Sequence, residues 1–359
     1  MRYPLLFILF LMTISCGTHA QFEHEYTAYP DTIHVRDTTI NEGDTIVRDT
    51  VILGKNSYSN PIIKLSLPDP TVIRTSGNIF YLYATEDMRN LPIYRSENLV
   101  DWTFVSTAFT DETRPNFLKD GYLWAPNINN INGEYRLYYT LSQWGVTDIC
   151  GVGVAVADNP EGPFFDQGKL FVSKEIGIVN GIDPFLMEEE GIKYLFFGSL
   201  HGIYVLELSD DGMSIKEDSK PIRIASSGVE GTYIHKRDGY YYLFCSQGRC
   251  CEGANSNYHV VYARSESLFG PYVTKKGSRA LNGNFDTLIQ GNDFVAGPGH
   301  NARFITDDNG QDWMIYHGYQ MADTHAGRVT FLDPVFWENG WPYIKNGVPS
   351  EYNYRPTFK

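Results

Sequence analysis

GNIFYLYA, residues 77–84, returns four more times in altered spelling: GEYRLYYT at 133–140, GIKYLFFG at 191–198, GYYYLFCS at 239–246 and GQDWMIYH at 310–317. Each copy is a turn glycine followed by a short run in which aromatic or aliphatic residues hold most positions. A run of this length, rich in Tyr and Phe, reads as a strand entered through a tight turn. Strand–turn units recurring at this interval, with no long helical period between them, predict a blade array. The interval of roughly 60 residues accommodates four strands and their loops.

Upstream of four copies, by eight to ten residues, stands one ionisable residue beside a Gly or Pro. These are Asp69 in LPDP, Asp183 in GIDP, Glu230 in VEGT and His300 in GPGHN; the second copy is preceded instead by WAPN, residues 124–127. In a propeller the first strand of each blade lines the central axis, so the four residues are expected to meet there. A single Asp-Pro is ordinarily a turn. Ionisable residues at matching places in four repeats point to a catalytic pocket.

Composition narrows the chemistry. The formal net charge is −14, which argues against nucleic acid, since phosphate binding needs a basic stripe. Aromatic content is 14%, with 25 Tyr and 21 Phe, a mix suited to strands and to sugar-stacking surfaces. A neutral polymer or a small neutral substrate fits this balance best.

The N-terminus reads as a targeting segment, residues 1–20. Arg2 precedes an apolar run over 4–14 that is too short to span a membrane and of the right length for a signal core. Two cleavage patterns compete: a lipoprotein-type box ending in Cys16, and Thr18-His19-Ala20 before Gln21. Both predict export, either as an outer-membrane or cell-surface lipoprotein or as a periplasmic or secreted protein. Residues 21–57, which carry the related phrases IHVRDTTI and TIVRDTVI, read as a leader or stalk, strand-forming in part. Residues 58–359 are then the propeller. Cys150, Cys245, Cys250 and Cys251 remain for an oxidising compartment, and their pairing is open. Their spacing is not a zinc pattern.

Glycosidic bonds are cleaved by two carboxyl groups flanking the bond, one acid and one base. The acid needs its proton at working pH, which burial or a nearby carboxylate favours. Asp69, Asp183 and Glu230 supply such a trio on three blades, and the longer Glu230 side chain suits the acid. Taken in order, LPDPTVI, YLWAPNI, NGIDPFL, YLFFGS, CCEGANSNYHVVYARSESLFGPYV, GPGHNA and WMIYHGY resemble glycoside hydrolase family 43, and within it the endo-α-1,5-L-arabinanases. The resemblance runs from Asn60 to the C-terminus.

The resemblance implies a five-bladed β-propeller and an inverting arabinan endo-1,5-α-L-arabinosidase. Asp69 would be the general base, Glu230 the general acid, and Asp183 the residue that orients the acid and tunes its protonation, with acid and base about 6.5–9.5 Å apart. His300 matches a histidine that faces an axial metal ion, calcium with mostly water ligands. Trp124 and Trp144 match a sugar-stacking floor, and Asn180 and Ser199 are candidate substrate contacts. The implied partner is arabinan or an arabino-oligosaccharide, acted on by a monomer. Two departures, Asn127 where the family commonly has Asp and Leu200-His201-Gly202 where it commonly has an aromatic pair, bear on the subsites. An exo-acting arabinanase, arabinofuranosidase or β-xylosidase, or a non-catalytic surface glycan-binding protein, are the alternatives.

Overall fold

The computed structural model describes residues 21–28, 31–41 and 44–359, with side chains from residue 50 onward. The signal segment 1–20, including Cys16 and both cleavage patterns, lies outside the described residues. Two compact units are present: the chain up to Ser59 with Glu351–Arg355, and Asn60–Ser350 with Pro356–Lys359. Among the described residues no helix is long and apolar enough to cross a membrane.

The first unit is a β-meander of β1 (Gln21–Ala28), β2 (Asp31–Asn41) and β3 (Asp44–Leu53). A short pair, β4 (Ser57–Ser59) with Tyr352–Tyr354 near the C-terminus, belongs to the same unit. The two related phrases pair with each other antiparallel, and the register sets Arg36 opposite Asp49 and Asp37 opposite Arg48. The described part of the expected leader, residues 21–57, is strand except for the turn at Gly54–Asn56.

The second unit holds five antiparallel blades. Blade 1 is β5 (Thr71–Arg74), β6 (Phe80–Tyr83), β7 (Pro92–Ser96) and β8 (Trp102–Thr107). Blade 2 is β9 (Tyr122–Ile131), β10 (Glu134–Ser142), β11 (Gly151–Ala157) and β12 (Phe165–Val172). Blade 3 is β13 (Phe185–Glu189), β14 (Ile192–Phe197), β15 (Ile203–Glu207) and β16 (Ile222–Ala225). Blade 4 is β17 (Val229–Arg237), β18 (Tyr240–Gln247), β19 (His259–Ser265) and β20 (Asp286–Ile289). Blade 5 comprises β21 (Val295–Gly299), β22 (Ile305–Thr306), β23 (Asp312–Gln320), β24 (Val329–Glu338) and β25 (Trp341–Tyr343).

Every copy of the repeated phrase is the same element: the turn glycine and the strand that pairs with the axial strand of its blade. The five glycines, Gly77, Gly133, Gly191, Gly239 and Gly310, have φ between 80° and 91°. A Cβ at any of them would meet nothing within 4 Å, so glycine is chosen for its left-handed backbone and not for space. The tyrosines of these strands are core: Tyr83, Tyr138, Tyr139, Tyr242 and Tyr316 are fully buried. Their hydroxyls still find acceptors, as Tyr138 donates to Gly212 O at 3.0 Å and Tyr316 to Asp333 Oδ2 at 2.6 Å. Much of the aromatic content therefore serves packing between sheets.

The ring closes through residues 60–67, which run beside β24. Asn60 donates to Leu332 O at 2.9 Å and accepts from Leu332 N at 3.0 Å, and Ile63 bridges Thr330.

Candidate active site

Where each axial strand begins, the backbone kinks. Asp69 (φ 53°), Ala125 (φ 39°), Asp183 (φ 59°), Gly231 (φ 64°) and His300 (φ 46°) are all left-handed. Four of the five are not glycine, an uncommon and costly conformation for them that the surroundings must hold in place. The holding contact repeats around the ring. At each kink the amide N–H points at the residue seven or eight places after the turn glycine of the preceding blade. Ala125 N donates to Thr85 Oγ1 (2.8 Å), Asp183 N to Thr140 Oγ1 (3.0 Å), His300 N to Ser246 Oγ (2.7 Å) and Asp69 N to His317 Nδ1 (2.9 Å). In blade 4 Gly231 N donates instead to Asp183 Oδ2 at 3.2 Å, and the matching residue, Ser199, donates to Glu230 Oε2 at 2.6 Å. One set of interblade hydrogen bonds thus closes the propeller and aims its ionisable side chains.

Blade 4 differs from the sequence pattern in one respect: Glu230 lies one residue before the kink, not at it. Gly231 occupies the kink because it needs the left-handed φ and because a Cβ there would come within 3.1 Å of the His300 ring.

Asp69 sits among cations. Its Oδ1 is 3.2 Å from His300 Nδ1 and 3.2 Å from Arg328 Nη1, and its Oδ2 accepts from Thr85 Oγ1 at 2.6 Å. Burial, the largest influence, would raise its pKa, but Arg328, His300 and His317 together hold it well below the usual range. Asp183 shows the opposite balance. Burial, with Glu230 and Asp69 nearby, pushes it up to about 7 against the pull of His300 and the Gly231 N–H. Glu230 is held through both oxygens, Oε2 by Ser199 and Oε1 by the Tyr258 hydroxyl at 2.8 Å. His300 is raised to about 9, since Asp69, Asp183 and Glu230 outweigh its burial. The structure brings these four residues into one electrostatic cluster at one end of the axis.

The candidate substrate contacts divide. Trp124 and Trp144 lie side by side, ring centroids 5.4 Å apart and planes 55° apart, with Trp144 72% exposed. Asn180 is buried; its amide donates to Ser199 O at 3.3 Å and its oxygen faces the Cys150 thiol at 3.7 Å. Ser199 donates to Glu230, and Asn180 donates to the segment carrying Ser199, so both are tied to the Glu230 carboxylate. Asn127 is likewise internal: its Oδ1 accepts the Leu186 N–H at 2.9 Å, joining blades 2 and 3. Leu200 and His201 are exposed. Of the cysteines, Cys250 and Cys251 are bonded to each other, while Cys150 and Cys245 are buried thiols.

Two residues of the cluster, Arg328 and Tyr258, carry no periodic signal in the sequence, while a third, His317, closes the fifth copy of the repeat at the place that Thr140 and Ser246 hold in theirs. His317 and Tyr258 stack 5.7 Å apart and nearly parallel, at 8°. Burial, with Arg328 beside it, keeps His317 neutral, its pKa well below the ordinary value. Because Nδ1 accepts from Asp69, the proton is on Nε2.

A metal on the axis would find few protein donors. Among the described residues no group of three or more His, Cys, Asp or Glu is arranged to hold one. His300 Nδ1 is engaged with Asp69, and its raised pKa keeps the ring protonated at neutral pH. Calcium prefers oxygen ligands, so an ion here would be held through water.

A propeller whose axial strands bring three carboxylates together, Asp183 buried and Asp69 and Glu230 partly so, has the architecture of a glycoside hydrolase. The model of glycosyl hydrolases family 43 matches residues 58–342, and the chain belongs to that family. An extracellular exo-α-(1→5)-L-arabinofuranosidase of Cellvibrio japonicus is 32% identical over 78% of this chain and 87% of its own length. An extracellular endo-α-(1→5)-L-arabinanase of Bacillus subtilis is also 32% identical, over 77% of this chain and 87% of its own. The structure of an α-L-arabinanase of Cellvibrio cellulosa, complexed with arabinohexaose, superposes with a TM-score of 0.72 at 30% identity, covering 79% of this chain and 96% of that one.

Proposed function

We propose that this glycoside hydrolase cleaves the α-1,5-L-arabinofuranosyl bonds of arabinan within the chain and with inversion. The observation that carries the proposal is the unequal treatment of the carboxyl groups. Asp69 is kept ionised by Arg328 and His300, as a general base must be. Glu230 is gripped by two hydroxyls that can rotate. In the proposed step Asp69 takes a proton from water as the water oxygen attacks the anomeric carbon. Glu230 gives its proton to the departing sugar oxygen, and the glycosidic C–O bond breaks. Before that step Ser199 or Tyr258 must turn to accept from the protonated acid; a hydroxyl can do so because it is both donor and acceptor. Asp183, near half-protonated at neutral pH, keeps negative charge beside the acid and orients it through the Gly231 amide. A calcium ion, held through water beside His300, is part of the proposal; metal analysis of the dialysed protein tests it.

The substrate follows the names of the relatives, which include both exo and endo enzymes at the same identity. Exo action is therefore the second reading. The extracellular relatives also support export of this chain, and the mass of the mature N-terminus separates lipidation at Cys16 from cleavage after Ala20. A product time-course on debranched linear arabinan tests function and mode together. A ladder of oligosaccharides appearing early supports endo action; a single short product from the outset replaces it with exo action. No product from linear or branched arabinan sinks the substrate. Glu230→Ala should lose turnover of the polymer and regain part of it on an aryl arabinofuranoside, whose leaving group needs no proton.

A further inference from the structure

The axial strands run on from the catalytic mouth, and their far ends enclose a second cavity of about 350 Å³. Its lining includes Asn129 of β9, Phe185 and Glu188 of β13, Tyr233 and Lys236 of β17, and Arg303. These residues follow the kinks at Ala125, Asp183, Gly231 and His300 by two to five positions. At about 3.3 Å per strand residue the cavity lining lies roughly 7–17 Å along the strands from the kinks that carry the carboxylates. It is a separate site.

Arg303 is the group that needs explaining. Its Nη2 donates to Asn129 Oδ1 at 2.8 Å, and its guanidinium lies 5.6 Å from the centre of the Phe185 ring. Its Nε–H is buried and has no hydrogen-bond partner. Among the described residues no carboxylate lies within ion-pair distance of it. The other charges lining the cavity are matched: Lys236 pairs with Glu189, and Glu188, half-exposed at the rim, faces Lys193 at 3.7 Å. His235, beside them, is half-buried and bonded to the Tyr233 hydroxyl at 2.7 Å, with its pKa pushed down to about 4, chiefly by desolvation, so it adds no charge. One partly buried guanidinium thus borders the cavity without a carboxylate partner and with a buried Nε–H unmatched. Buried charges are ordinarily paired, and leaving one unpaired is costly.

We propose that the non-catalytic mouth of the propeller is an anion site, with Arg303 as its anchor and a small oxyanion (phosphate, sulfate or a carboxylate) as its ligand. The planar fork of arginine matches two oxygens of such a group, and the unused Nε–H supplies one of the two parallel bonds. Bound there, the anion would tie Arg303 to the lining contributed by blades 2, 3 and 4. The source is either a free inorganic ion or the acidic sugar of a polysaccharide.

The test is isothermal titration of the full-length protein with inorganic phosphate at constant ionic strength, alongside thermal melting. One saturable site and a rise in melting temperature of roughly 2–4 °C are expected. Arg303→Gln should weaken binding at least tenfold, whereas Arg328→Met, which alters the catalytic mouth, should leave it intact. If Arg303→Gln does not fold, Arg303→Lys keeps the charge without the fork and should still weaken binding several-fold. Competition by glucuronate would assign the site to acidic sugars, and its failure to compete would assign it to a free ion. Absence of saturable binding, retention of full affinity in the Arg303 variants, or loss of binding in Arg328→Met would each overturn the proposal.

Discussion

Asp69 and Asp183 occupy the same place in blades 1 and 3: the same left-handed kink and the same amide hydrogen bond to the preceding blade. Their chemistry is opposite. Three cationic or imidazole neighbours hold Asp69 ionised, while burial and two carboxylates hold Asp183 near half-protonation. A repeat fixes where a side chain points; its charge state is decided by what the other blades send to meet it. The two sites can thus carry different tasks on one backbone device.

The largest expected effect is at Asp69. Asp69→Asn keeps the shape and removes the proposed base, so kcat should fall by roughly 10³-fold or more. The same change leaves Arg328 and His300 without their common partner, which should cost roughly 2–4 kcal/mol of stability at neutral pH. The ionised Asp69 stabilises the fold above the unfolded-chain pKa of about 3.9, and that contribution is lost as pH falls through the depressed folded value. An Asp69→Asn protein that melts at the wild-type temperature at pH 7.5 would remove the cations from this account.

Asp183→Asn should have the opposite sign. A carboxyl raised to about 7 binds its proton where the unfolded chain, with a pKa of about 3.9, has lost it. The fold therefore loses stability as pH rises from about 4 to about 7. Asn abolishes that loss, so the variant should melt roughly 2–6 °C above wild type at pH 7.5, with the gap closing towards pH 4. Its kcat should drop by roughly 10²-fold, with a displaced limb of the pH–rate profile. A pure KM effect, or a gap in melting temperature independent of pH, would contradict the assigned electrostatics. Opposite stability changes from the same substitution at two matching kinks are the sharpest form of the comparison.

The blades and the kinked carboxylates were legible because both are local. A turn needing left-handed φ selects glycine each time, and an ionisable residue at a set distance before it stands out against an apolar strand. Arg328 was not legible. It reaches Asp69 from the start of β24, across a sequence separation of 259 residues, and nothing nearby in sequence marks it. His317 looked like one more residue of a core strand, and only the interblade contact shows that it replaces the Thr or Ser found at matching places in the other blades. Asn180 and Ser199, candidate substrate contacts by sequence, also bond within the protein, and the sequence does not show such partners: a polar residue at a strand end looks the same whether it faces a ligand or a neighbouring blade.

The smallest effect should fall at the exposed edge of the site. Trp144 is 72% exposed and packs only partly against Trp124, so the fold gains little from it. A large indole left in water is more useful as a platform, where the C–H face of a sugar can cover it. Trp144→Ala should therefore leave the melting temperature within about 1 °C of wild type and leave kcat unchanged, while raising KM for a polymeric substrate several-fold, as expected for roughly 1 kcal/mol of lost stacking. On a substrate too short to reach the platform, the variant and wild type should coincide. A fall in kcat on the short substrate would place Trp144 nearer the reacting bond than its exposure suggests, and an unchanged KM on the polymer would mean that no sugar rests there.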